Sequence, residues 1–250
     1  MPDKPKTDKF KIITPHGDDE GDKPKKKKFV TKTECDRCGC CCSGSTPSLH
    51  KEDIDLFNTS ILSFDNTFTI RKGELFSVPG DQETYRSFIE LIKITPKEGT
   101  EECIFYSANK GCTIYEKRPS QCAAYACWGF NDALTGLEAM ALGRKDLFGD
   151  VELIFDIIDR HDERCSYEKL ADLIETARGG AEAAAEEISE MLQYDAFIRD
   201  YVTEKFNIPE SSLDLLLGKP MTGRISEFGL KVEREGDEFI IMPLNNVEGK

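Results

Sequence analysis

Nine of the ten cysteines in this chain fall in two short segments, and no other feature limits the fold as much. Cys35, Cys38, Cys40, Cys41 and Cys42 form one run, and Cys103, Cys112, Cys122 and Cys127 form a looser second set. A lone cysteine such as Cys165 reads as an ordinary small hydrophobe of a core. Clustering of the other nine is hard to explain as packing, so a shared chemical role is expected to bring the two segments together.

The compartment bears on which role that is. The N-terminal stretch has no apolar run of the signal-peptide kind, and nowhere do about 18 apolar residues follow one another, so a soluble, cytoplasmic protein without membrane insertion is expected. Reducing cytosol disfavours disulfides and leaves metal binding or catalysis as the usual reason to keep many thiols. A chain of 250 residues can bury a sizeable core without staples, so metal is not needed merely to make it fold. Residues 1–34 carry ten Lys against seven Asp and Glu, so the net charge of −14 leaves the rest of the chain at −17. An acidic body offers no stripe of Lys and Arg to neutralise phosphates, and no DNA binding is expected.

Residues 1–33, rich in Lys, Asp and Pro and poor in large apolar groups, read as a disordered basic tail, with the Lys23–Lys28 run as a solvated charge block. Residues 34–130 read as a cysteine-cluster metal-binding domain, and 131–250 as a helical region with a terminal β-hairpin, packed on the first. Ser48 is placed to cap a short helix through Phe57. Residues 68–78 and 90–95 have strand character, and Asn109-Lys110-Gly111 marks a hairpin whose arms carry Cys103 and Cys112. Pro119 suits the start of a helix running through Trp128. Helices follow at about 132–142, 150–164, 167–178 after Ser166, 181–206 and 210–217, and Glu235-Gly236-Asp237 turns a closing hairpin. The expected class is α+β: an irregular and β-hairpin cysteine region, a mostly helical half and a C-terminal β-hairpin.

Cys35, Cys38 and Cys41 are spaced CxxCxxC, with Cys42 adjacent and Cys40 as an extra thiol. Two-residue gaps let successive thiolates bend around one centre, in zinc sites and iron–sulfur clusters alike. Five thiols exceed what one tetrahedral ion accepts from a short loop. Some therefore serve a second metal, stay idle or react, and thiol–disulfide exchange at Cys40, Cys41 and Cys42 is the main alternative without metal. Arg37 and Arg118 either favour thiolates nearby or are ordinary surface charges. Tyr115, Tyr125 and Trp128 would wall a cluster from solvent or simply pack.

The combination of CxxCGxCC at 35–42, a distant Cys103 and CTIYEKRPSQC at 112–122 resembles the YkgJ-like cysteine-cluster family, a zinc- or iron-chelating CxxCxxCC domain. The resemblance covers about residues 35–128 and implies ligand status for Cys35, Cys38, Cys41, Cys42, Cys103, Cys112 and Cys122; it does not reach Cys40, Cys127 or Cys165. The family continues from Cys122 as CRxYP, and Ala123 and Ala126 depart from that pattern. The implied cofactor is an iron–sulfur cluster, of the 4Fe-4S type, with zinc as the alternative. Electron transfer or iron handling with a protein or redox partner is the corresponding function. The family likeness extends to flagellin lysine N-methylases, so a cluster-dependent lysine N-methyltransferase is an alternative, although no GxGxxG follows a strand. A zinc-organised interaction module is the third reading, and whether the chain is an enzyme stays open. Of the histidines, His16 falls in the tail, His50 is an occasional candidate ligand, and His161, four residues before Cys165, reads as a surface residue at a helix end.

Overall fold

The computed structural model describes residues 34–77, 84–125, 140–236 and 238–244. The expected tail and its lysine run, His16, Cys127, Trp128 and most of the helix placed at 132–142 lie outside these residues. The remainder is mixed α+β, as the sequence pattern requires, with small two-stranded sheets and a helical half.

The first part is built on nested antiparallel pairs. Strand β1, Thr67–Ile70, pairs with β4, Leu91–Ile94, and between them β2, Leu75–Ser77, pairs with β3, Thr84–Arg86. Residues 68–78 thus hold two strands that pair with other partners and not with each other. All four β1 side chains are buried, including Thr67 and Thr69. Strict alternation is lost because helix Glu210–Leu217 lies against the strand, and the Thr69 hydroxyl donates to Leu215 O at 2.6 Å. Leu49, Leu62, Ile92, Ile94, Leu142 and Leu215 form the core beneath the cysteine segments, and Cys42 and Cys103 pack on it.

Helix positions follow the apolar spacing closely. Short helices α1, Cys40–Gly44, α2, Ile54–Asn58, α3, Ser120–Ala124, and α4, Arg144–Phe148, precede the longer ones. In α5, Glu152–Arg164, the buried residues Ile157, Ile158 and His161 repeat at the period that puts them on one face. Helix α6, Tyr167–Arg178, begins at Ser166, whose hydroxyl accepts the Lys169 N–H at 3.3 Å; such a cap contributes about 1 kcal/mol. The longest, α7, Glu182–Phe206, ends on Asn207 in the left-handed conformation just before Pro209. Helix α8, Glu210–Leu217, and the single turn α9, Met221–Arg224, lead to the closing hairpin. Its strands β7, Leu230–Glu235, and β8, Glu238–Pro243, pair with Val232 opposite Ile241.

Three local expectations are corrected. Ser48 does not cap a helix; it bridges to Lys93, while His50 begins a 3-10 turn and donates its N–H to Asp53 Oδ2 at 2.8 Å. The helix after Pro119 stops at Ala124, where Tyr125 is extended. His161 is fully buried, because α5 packs its 157, 158 and 161 face on α7 and meets Asp195 there.

Candidate metal centre

The thiols are carried by three pieces of chain that the fold ties to one another. Cys35 and Cys38 lie in the loop before α1, Cys40, Cys41 and Cys42 start α1, Cys112 is on a two-residue strand and Cys122 is in α3. That strand, β6, Gly111–Cys112, pairs with β5, Tyr106–Ser107, with Tyr106 opposite Cys112. Cys103 is therefore not on the hairpin arm expected for it. It forms an isolated bridge with Pro96, and its N–H donates to Cys42 O at 2.8 Å, which seats it directly under the first run.

Close packing of backbone makes this possible. Gly39 has φ +84, and a Cβ there would stand 2.1 Å from Tyr106 Oη, so only glycine lets the loop lie flat on the hairpin. Arg37 is also left-handed, at φ +57. Its guanidinium lies 3.8 Å from the Tyr115 ring centroid and pairs with Glu116 at 3.3 Å, and the Arg118 guanidinium lies 4.0 Å from the same centroid. Tyr115 in turn donates to Cys35 O at 3.5 Å. The two arginines are thus both oriented on one ring beside Cys35. Helix α3 is fastened by Asp53, which accepts from Ser120 N and Oγ at 2.8 and 2.7 Å, and by Gln121, which accepts the Ser48 N–H at 2.7 Å.

Proton affinities register how closely the sulfurs interact. Cys41 and Cys42 have their sulfurs 3.9 Å apart. A hydrogen bond from Cys42 is the largest influence on Cys41; with backbone N–H groups it outweighs burial and brings the Cys41 thiol down to about 6. Cys42 is pushed up, first by giving that hydrogen bond, then by burial and by the charges of Cys41, Cys122 and Cys112. Burial raises Cys103, and burial followed by the neighbouring Cys103, Cys41 and Cys112 lifts Cys122 to about 12. Cys41, Cys42, Cys103, Cys112 and Cys122 therefore form one electrostatically coupled group. Cys38, Cys40 and Cys41 are exposed and Cys35 is half-buried, so this group opens to solvent on the side of the first run.

Such a group exchanges protons for a cation, because thiolates crowded together repel one another until positive charge is placed among them. The donor set fits a thiophilic metal: it is all sulfur, it lies beside two fixed guanidinium charges, and part of it is reachable from solvent. His50 is buried with Nε2 unpartnered among the described residues, and no group of three ligand atoms within 4.8 Å joins it to the thiols.

The one group of three ligand atoms that close among the described residues lies elsewhere, at His161, Cys165 and Asp195. These atoms are already engaged. His161 Nε2 is 2.7 Å from Asp195 Oδ1, and Asp195 also accepts from Arg199 Nε and from the Met221 N–H. Burial alone would raise Asp195, yet the His161 hydrogen bond and the Arg199 charge hold it below the usual carboxylate range. His161 Nδ1 lies 3.4 Å from Arg71 Nη1 and 3.9 Å from Asp162 Oδ1, and Cys165 points at Met191 O. With guanidinium groups on both sides, this is a charge-balanced structural network and a poor home for a cation. The network was not visible in the sequence, because its members are scattered from Arg71 to Met221.

Together these features define a metal-binding domain built on clustered cysteines. The family model CxxCxxCC, described as "Putative zinc- or iron-chelating domain", matches residues 34–141, the stretch that carries both cysteine segments, so this part of the chain is similar to that family and metal binding through clustered cysteines is supported. No curated protein and no solved structure matches the chain.

Proposed function

We propose that residues 34–125 hold an iron–sulfur cluster whose four thiolates are drawn from Cys35, Cys38, Cys41, Cys42, Cys103, Cys112 and Cys122, and that the protein transfers electrons or handles iron. The observation that carries this reading is the all-sulfur donor set carried by the loop before α1, α1 itself, β6 and α3, with more thiols than the four a single tetrahedral zinc accepts. Thiolate-only ligation of this kind suits an iron–sulfur cluster. When bound, the cluster would supply one-electron chemistry; the chain supplies the thiolates, the charges of Arg37 and Arg118 and the buried floor at Cys103. Anaerobic isolation with iron and acid-labile sulfide assays and visible absorption tests this. Iron and sulfide in matched amounts support it, and a colourless protein with stoichiometric zinc after anaerobic reconstitution overturns it in favour of a zinc-organised module.

A further inference from the structure

The long helix α7 carries an aromatic ladder whose two central rings its own fold leaves uncovered. Tyr194, Phe197, Tyr201 and Phe206 follow one another with ring centroids 6.5, 5.9 and 5.8 Å apart. Phe197 is 58% exposed and Tyr201 40%. Tyr194 and Phe206 at the ladder's ends lean on the core that Ile188, Leu192, Ile198 and Val202 enter, whereas Phe197 and Tyr201 between them stand outside it. Exposed aromatics gathered in this way mark contact sites more often than single apolar residues do.

The surroundings of the ladder select the chemistry of what covers it. At one end the Arg164 guanidinium lies 3.9 Å from the Tyr194 centroid, so the surface already takes a cation on a ring face. Beside the other end, Asp200, Thr203 and Glu204 of α7 and Glu210 and Asp214 of α8 line a cleft of about 540 Å³. Arg199 also lines it, and its side chain is shared among Asp195, Gly218 O and, at 4.0 Å, Asp214, which leaves Asp200, Glu204 and Glu210 as the cleft's other acidic groups. The Thr203 hydroxyl is buried and unpartnered among the described residues. Burial keeps the Asp214 carboxyl above its ordinary value, although Arg199, with Nη1 4.0 Å away, and Lys219 pull it down.

We infer that the outer face of α7 is the docking surface for a basic, partly apolar segment of a partner protein. Its Lys or Arg side chains would enter the acidic cleft and stack on the rings, and its apolar side chains would cover Phe197 and Tyr201. An acidic surface of this kind repels anionic lipid headgroups, so a protein segment is the better fit than a membrane.

The test uses the full chain and a fluorescein-labelled synthetic helix of Lys and Leu, with an oligolysine of equal charge as the comparison. Anisotropy is read at about 0.15 M salt, where charges more than about 8 Å apart are largely screened. The Lys/Leu helix should bind more tightly than oligolysine. The double variant Phe197→Ala/Tyr201→Ala, which keeps every charge, should weaken it about tenfold. Asp200→Asn/Glu204→Gln, which keeps the rings, should weaken both probes. Both pairs are exposed, and circular dichroism checks that α7 is retained. Equal binding of the two probes, or unchanged affinity in the ring variant, reduces the attraction to net charge and overturns the proposal. So does ring-dependent binding to phosphatidylcholine/phosphatidylserine vesicles with no binding to the helix.

Discussion

Gly39→Ala is the sharpest perturbation of the metal centre. A left-handed residue with a Cβ costs about 1–2 kcal/mol before any contact is counted. The added Cβ would also stand 2.1 Å from Tyr106 Oη and 2.3 Å from Cζ, so the ring or the loop has to move. Overpacking of that kind costs about 1–3 kcal/mol more. The ring is not free to swing away at leisure, because Tyr106 is paired with Cys112 and its N–H donates to Cys103 O at 2.9 Å. If the loop yields, Cys35 and Cys38 shift relative to the hairpin that carries Cys112 and the strain appears on binding; at about 1.4 kcal/mol per tenfold, metal affinity falls by at least about tenfold. If the loop holds, the strain appears as a lower melting temperature. Competition with a chromophoric zinc chelator and thermal melts of Gly39→Ala, Tyr106→Ala and the double variant separate the two. With Ala at 106 only the backbone cost should remain, so the two substitutions should be non-additive by more than about 0.5 kcal/mol. An additive pair, or a Gly39→Ala protein with unchanged affinity and melting temperature, would refute the packing of this loop on the hairpin.

Tyr115→Leu should release Arg37 and Arg118 and weaken metal binding several-fold, whereas Tyr115→Phe keeps the ring under both and should bind nearly as the parent does; equal losses in the two would show that the stack has no part in binding. Cys38→Ala and Cys112→Ala should lower bound metal in elemental analysis, while Cys165→Ala should keep full metal content and lose about 1 kcal/mol of stability. Asp195→Asn should cost about 3–5 kcal/mol in urea unfolding, since it strips charge from a buried pair and leaves Arg199 and His161 poorly matched. Acid should find the same network. Burial would raise Asp162, but the His161 hydrogen bond and the Arg144 and Arg71 charges hold it at about 2, and Asp195 is also depressed. Depressed carboxylates stabilise the fold above their unfolded value, here 3.8, and that share is lost as pH falls from there through the folded values. The urea midpoint should therefore drop steeply below about pH 4, and Asp195→Asn should flatten the drop; a flat wild-type profile would contradict it.

The helical half was legible because its signals are local. Ser166, Asn207 and Pro209 set the ends of α6, α7 and α8, and apolar spacing sets their buried faces. The cysteine segments were legible as a motif for the same reason, since CxxCxxC and CTIYEKRP are short. What joins them was not. Asp53 reaching Ser120, Gln121 reaching Ser48 and Gly39 lying on Tyr106 are contacts across roughly seventy residues, and each participant is an ordinary residue type. Strand partners were not legible either: residues 68–78 and 90–95 read as strand, but that β1 takes β4 while β2 takes β3 is a matter of long-range pairing. His161 was misread because a histidine near a helix end resembles a surface residue until the helix it packs on is known.

Charge is distributed over this molecule in a way that joins the metal centre to the distal helix. Arg71, Arg144 and Arg199 are spent inside, each against a carboxylate, so they add nothing to the outer field. Arg37 and Arg118 are held on Tyr115 beside Cys35, where thiolates would otherwise accumulate negative charge. With those arginines committed, the outer surface of α7 and α8 is left acidic around its exposed rings. That acidic surface is the charge complement on which the docking proposal for α7 rests.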